Sequence, residues 1–225
     1  MIKNILNLGD AALYCDFGIE VNKKINFEVI KYFKAIKESN IEGINNLTPS
    51  YNKLIVSYDL RLTNFKEIKK KIETLDINKT QKLESKKLEI PVCCDNEFSL
   101  DIERLEKKIN LSRDKILENF FNKEYFCYMT GFIAGMPFLG DLDKNMRAHR
   151  LDPPRVQVPR GSVGITEQFA NIYTFESPGG WNIIGNTPLE VFDSSKEKEP
   201  NLINPGDLII FKKITIEEYK SFNEK

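Results

Sequence analysis

Histidine occurs once in the 225 residues, as His149, which excludes a multi-histidine metal centre and weakens any Ser-His or Cys-His nucleophile scheme. Charge of one sign is also lacking. The 33 Lys and Arg residues cancel 33 Asp and Glu, so there is no positive field to hold nucleic acid or an acidic membrane surface. Long apolar runs are missing too. The longest apolar zone, Met129 to Leu139, is broken by Gly131, Gly135 and Pro137, well short of the roughly 20 residues of a membrane helix. Asp10 interrupts the first apolar stretch before it reaches signal-peptide length, so the expected location is cytoplasmic. The four cysteines, 15, 93, 94 and 127, fit no metal-ligand spacing, and adjacent Cys93 and Cys94 are poorly placed to pair with each other. They are expected to be free thiols, with one of Cys93 and Cys94 facing inward from the start of a strand and the other outward. No metal site is expected, and no phosphate-cradling GxxxxGK[ST] motif is present.

Hydrophobic residues make up 41% of the chain, an ordinary globular share, and its length allows two modest cores. "KNILNL" and "AALYCDFG" read as strands around a Gly9-Asp10 turn. Ile25, Val29, Phe33 and Ile36 recur at helical spacing. "GINNLTPSYNKLIVSYD" reads as a hairpin, and Thr63 or Asn64 can cap a helix with the stripe Phe65, Ile68, Ile72, Leu75. The order β-β-α-β-β-α predicts a small α+β sandwich over residues 1–84. The polar run "NKTQKLESKK" reads as a linker. A helical pair follows, with Leu100, Leu105 and Ile109 on one helix and Ile116, Leu117 and Phe120 on the next. Beyond it "GSVGIT", "ANIYTFES", "WNIIG", "PLEVFD" and "DLIIFKKI" alternate with turn residues. They predict a mainly-β barrel or sandwich within 85–225.

Three segments combine glycine, proline and a few charged or aromatic residues: "YMTGFIAGMPFLGDL", "RLDPPRVQVPRGSVGI" and "FESPGGWNIIGNTPLEVFD", which holds the only tryptophan. Glycine admits a close ligand or backbone and proline fixes a loop; tight barrel corners would use the same residues. Ser177-Pro178-Gly179-Gly180 suits a type II turn with Gly179 at φ > 0. Arg155 is a good carboxylate or phosphate fork, or else half of a structural ion pair. Glu176 could orient a substrate amine or meet a partner's Arg, or simply be a solvated turn carboxylate. Ser162 has no base placed by sequence to activate it. Trp181 could floor a groove or pack in a core, and Met136, Pro137 and Phe138 could rim an apolar groove.

Taken together, these segments resemble the B-subunit family of 5-oxoprolinase, also called the KipI type or allophanate hydrolase subunit 1 type. "GDAALYCDFG", "PSYNKLIVSYD", "IPVCCDNEF" and "INPGDLIIF" extend the resemblance along nearly the whole chain. The resemblance implies an α+β domain followed by a cyclophilin-like β-barrel, acting with a C-subunit partner and an A subunit of LamB/YcsF type. Together they open 5-oxoproline to L-glutamate with ATP as co-substrate of the complex. The same modules occur fused in the carboxyltransferase region of urea carboxylase, and one branch instead inhibits a sporulation histidine kinase. The chain departs from the family pattern at Ala134, Met136, Phe138, Phe169 and Asn171, and at Phe120, where a histidine is usual. On this reading Arg155 and Glu176 recognise substrate or stabilise charge. Gly161, Ser162, Gly179 and Gly180 supply backbone contacts, and Gly135, Pro137, Phe138, Pro178 and Trp181 line the substrate or partner surface.

Overall fold

The computed structural model describes residues 1–77 and 85–222, and the chain divides into two compact units, Met1–Glu84 and Ser85–Lys225. Most of the predicted linker run therefore lies outside the described residues.

In the first unit, strands β1 (Asn4–Asn7), β2 (Ala12–Asp16), β3 (Ile44–Pro49) and β4 (Lys53–Tyr58) form an antiparallel sheet in the order β1-β2-β4-β3. Helices α1 (Lys23–Glu38) and α2 (Phe65–Glu73) complete the anticipated β-β-α-β-β-α order. Alternate residues Leu13 and Cys15 of β2, and Leu54, Val56 and Tyr58 of β4, are buried against Val29 and Ile36 of α1 and Ile68 and Ile72 of α2. Each such aliphatic side chain contributes about 1.5–3 kcal/mol on burial. Both helices start where an asparagine takes an orphan amide: Asn22 Oδ1 accepts from Ile25 N at 3.0 Å and Asn64 Oδ1 from Glu67 N at 3.2 Å.

The second unit opens with β5 (Lys87–Cys93), α3 (Ile102–Ile109) and α4 (Arg113–Phe121). Strands β6 (Glu124–Thr130), β7 (Pro137–Gly140), β8 (Arg155–Val158), β9 (Ser162–Thr166) and β10 (Phe169–Ile172) come next. They are followed by β11 (Ser177–Gly179), β12 (Asn182–Asn186), β13 (Leu208–Ile214) and the short α5 (Ile216–Phe222). Seven strands close into a barrel in the order β10-β7-β6-β13-β5-β12-β9, while β8 and β11 form a separate two-stranded ribbon. Residues of one parity share a core with α3 and α4: Val92, Cys127, Leu139, Val163, Ile165, Ala170, Ile172 and Phe211 among them. The neighbouring residues therefore point from the opposite barrel face. Phe120, at the position where the family pattern has histidine, stacks on Phe211 at 4.7 Å and belongs to this core.

Several expectations are corrected. Leu100 is 46% exposed and precedes α3, because Ser99 and Asp101 spend that turn on hydrogen bonds to Cys94, Ile184 and Ile183. "PLEVFD" forms only one isolated bridge, Phe192 to Asn201; Val191 goes to the core and Phe192 packs on Gly135. Conversely, β7, β8 and β11 lie within the three segments picked out for their glycine and proline, and β6 runs into the first of them. Cys93 and Cys94 lie at the end of β5, not its start, and both are buried. Gly185 makes this possible: a Cβ there would lie 2.8 Å from Cys93 O and 2.9 Å from Cys94 Sγ.

Candidate functional site

The barrel face opposite the core carries a chain of aromatic rings. Tyr128 meets Phe169 edge-on at 5.6 Å, Phe169 meets Phe138 at 6.5 Å, and Phe138 meets Trp181 at 5.6 Å. The rings come from β6, β10, β7 and the entry to β12, so barrel closure assembles them from distant sequence. At one end Tyr128 Oη donates to Asp141 at 3.0 Å, and Gln168 Nε2 donates to the same carboxylate at 2.9 Å. Burial pushes the Tyr128 phenol well above its ordinary range, and the adjacent Asp141 adds to this.

At the other end the β8–β11 ribbon folds over the barrel, and Val158, Tyr173, Ile183 and Met136 form a small core beneath it, with Trp181 packed alongside. Tyr173 is the hub. Its carbonyl accepts from Gly161 N at 2.8 Å and its amide donates to Ser162 O at 2.9 Å. Burial raises its phenol pKa, partly offset by hydrogen bonds from the Trp181 backbone and the Asn171 side chain. The fully buried Asn171 leaves its Oδ1 without a hydrogen-bond partner.

The Ser-Pro-Gly-Gly segment is not a type II turn. Ser177–Gly179 is strand β11, paired with β8 through a bulge, and neither Gly179 nor Gly180 has positive φ. Glycine is needed at 179 for space: a Cβ there would sit 2.1 Å from Tyr173 Oη. Gly180 O accepts from Leu151 N at 2.6 Å, so its backbone is committed within the unit. At Gly161, φ is +78° and a Cβ would lie 2.4 Å from Thr187 O. Its N–H and C=O are both used, by Tyr173 and Thr187. Gly135, at φ +70°, seats the Phe192 ring 2.3 Å from where a Cβ would be. Pro137 is buried at the start of β7, Phe138 and Trp181 are half-buried, and Pro178 is exposed.

Arg155 and Glu176, predicted to act together, have different surroundings. The Arg155 fork is filled by Asp101, with bonds of 2.8 and 2.7 Å to a carboxylate only 3% exposed. Asp101 Oδ2 also accepts from Ile183 N at 2.7 Å, tying α3, β8 and β12 together. Glu176 stands exposed just before β11, with no partner among the described residues. Ser162 is 2% exposed within β9, while His149 pairs with Glu167 at 2.5 Å on the surface. All four thiols are free and buried; burial pushes Cys15 and Cys94 up to about 12 and raises Cys93 and Cys127 as well. Among the described residues no cluster of three or more His, Cys, Asp or Glu could hold a metal ion, and no helix is long and apolar enough to cross a membrane. This face offers hydrogen-bond donors, acceptors and edge-to-face rings, and the free carboxylate of Glu176 stands just before β11.

The family described as carboxyltransferase domain, subdomain C and D, matches residues 3–203. The chain belongs to this family. It is 34% identical over 233 residues to the 5-oxoprolinase B subunit of Bacillus subtilis, covering 98% of this chain and 97% of that one. It is 30% identical to the 5-oxoprolinase B subunit of Haemophilus influenzae over 92% and 96% of the two chains. Among solved structures, TTHA0988 superposes with a TM-score of 0.81 at 27% identity over 91% of this chain, which spans only 40% of the TTHA0988 chain. Kluyveromyces lactis urea carboxylase shares the fold, with a TM-score of 0.79 at 19% identity over 96% of this chain and 22% of that one. Tyr173 and Asp101 were not singled out from sequence; the one signal for Tyr173 was its place in "IYTFESPGGW".

Proposed function

We propose that this chain is the B subunit of an ATP-dependent 5-oxoprolinase, opening 5-oxoproline to L-glutamate with a C-subunit partner and an A subunit of LamB/YcsF type. The observation that carries this reading is the end-to-end match to the Bacillus subtilis protein, at 34% identity over 98% of this chain. Lactam opening needs an activated amide carbonyl: phosphoryl transfer from ATP to the lactam oxygen, water addition at that carbon, departure of the ring nitrogen as an amine to leave an acyl phosphate, and hydrolysis of that acyl phosphate by a second water to carboxylate and phosphate. The barrel's contribution is recognition. Glu176 is free to orient the ring N–H or the developing amine, and Arg155, locked to Asp101, holds the ribbon that presents it. The match to part of the longer TTHA0988 chain supports a module that works beside further polypeptide. Co-expression with the C subunit should give one co-eluting species on size exclusion, and adding the A subunit should give ATP-dependent 5-oxoproline turnover. Separate elution at micromolar concentration would count against the reading.

A second reading, a regulatory module of the histidine-kinase-inhibitor type, draws on the exposed apolar side chains of the barrel unit, Val156 at 87%, Phe132 at 76% and Phe175 at 44%. It requires saturable binding of a kinase by the isolated chain and no turnover with the other subunits.

A further inference from the structure

The first unit contains a cleft lined by none of the candidate site residues discussed above. It lies between the last turns of α1 and strand β3, with a volume of about 290 Å³. Phe33 and Ile36 of the helix and Ile44 and Leu47 of the strand give it apolar walls. Lys37 lines the same cleft, its Nζ 5.9 Å from the Phe33 ring centroid, and no carboxylate among the described residues pairs with it. Ile41 and the amides of Asn40, Asn45 and Asn46 complete the lining.

The chemistry of these walls selects an occupant. Apolar sides favour an aliphatic body, and a single ammonium with neighbouring amides suits one negative charge better than a dianion. A volume near the lower end of small-molecule sites, about 300 Å³, favours a short chain. A polypeptide strand added to the free β3 edge fits less well. The register shifts between Ile44 and Asn46, and Pro49 ends the strand without an N–H; both blunt an edge against strand addition. We infer that this cleft binds a small aliphatic carboxylate, its chain against Phe33, Ile44 and Leu47 and its carboxylate paired with Lys37. The site is independent of the barrel face and of the proposed lactam chemistry.

Methyl NMR of the full chain titrated with hexanoate tests it. Saturable shifts are expected at the cleft methyls of Ile41, Ile44 and Leu47, and affinity should rise about four-fold for each methylene added between butanoate and hexanoate. Lys37→Met, which keeps the stem and removes the charge, should weaken hexanoate about ten-fold or more and leave hexanol unchanged. Lys37→Arg should retain binding, which separates lost charge from a damaged fold. The proposal is overturned if hexanoate gives no saturable shift at these methyls in the wild-type chain. Hexylamine binding as tightly as hexanoate, or Lys37→Met binding hexanoate undiminished, would overturn it equally.

Discussion

Gly179→Ala is the sharpest test of why this sequence carries adjacent glycines. The added methyl would lie 2.1 Å from Tyr173 Oη and 2.7 Å from ring carbons Cε1 and Cζ. Neither side can give easily: Tyr173 is 1% exposed, packed with Met136, Val158 and Ile183, and Gly179 is held in the ribbon opposite Arg155. Overpacking of this kind costs about 1–3 kcal/mol. With a urea m value of about 2 kcal/mol/M, a 2 kcal/mol loss lowers the unfolding midpoint by about 1 M. Trp181 is the only tryptophan and lies in the barrel unit beside the ribbon, so its fluorescence follows that unit alone and avoids the two-unit ambiguity of a whole-chain signal. Tyr173→Phe removes the nearest clashing atom at a cost of about 1 kcal/mol. Gly179→Ala should therefore cost at least about 0.5 kcal/mol less in the Tyr173→Phe background, relief being partial because the ring carbons remain. If the two changes add, or if Gly179→Ala unfolds like wild type, the tyrosine is not what demands glycine.

Three further outcomes are expected. Glu176→Gln, at an exposed and unpartnered carboxylate, should leave the urea midpoint unchanged but cut turnover of the assembled complex about ten-fold, near 1.4 kcal/mol; unchanged turnover would remove Glu176 from the site. Asp101→Asn should cost about 2–3 kcal/mol, because Arg155 loses a buried bidentate partner and the Ile183 amide loses charge assistance; a loss below about 0.5 kcal/mol would refute the anchoring role. The thiols should resist modification in the native chain at pH 8 and react fully only on unfolding, since burial holds Cys15 and Cys94 near 12. Because these folded values are raised above 9.0, their stabilisation is complete below pH 9 and is lost as pH climbs from 9 towards 12, by up to about 1.4 kcal/mol per pH unit per thiol. Cys94→Ala should flatten that decline in the barrel unit.

The first unit was legible in full order because its signals are local. Strand alternation at Leu13 and Cys15, the helical stripe through Val29 and Ile36, and the Asn64 cap each depend on residues a few positions apart. The barrel was legible only in part, since β7 and β11 contain glycine and proline that usually mark loops, and β6 and β8 are short runs flanked by them. Their pairing partners lie elsewhere in the chain: β7 is held by β6 and β10, and β11 by β8.

The candidate site shows the same division between local and distant causes. Arg155 could be read from sequence as a fork, but its occupant, Asp101, is 54 residues away and is delivered by the start of α3. Gly179 could be read as a residue without a side chain, yet two physical demands produce that choice, positive φ and lack of space, and sequence does not tell them apart. The structure decides for space, since φ at 179 is not positive and Tyr173 Oη fills the position. Pro178 and Gly179 are therefore part of a bulged ribbon strand, with Gly180 following it, rather than of a type II turn. Gly180 and Gly161 already spend backbone groups on Leu151, Tyr173 and Thr187. What this packing leaves available to a substrate or partner is the side chain just before the ribbon, Glu176, and the rings of Phe138 and Trp181. On the function proposed above, the group to test is accordingly that carboxylate, together with what a partner brings to it, and not the glycines that first draw the eye.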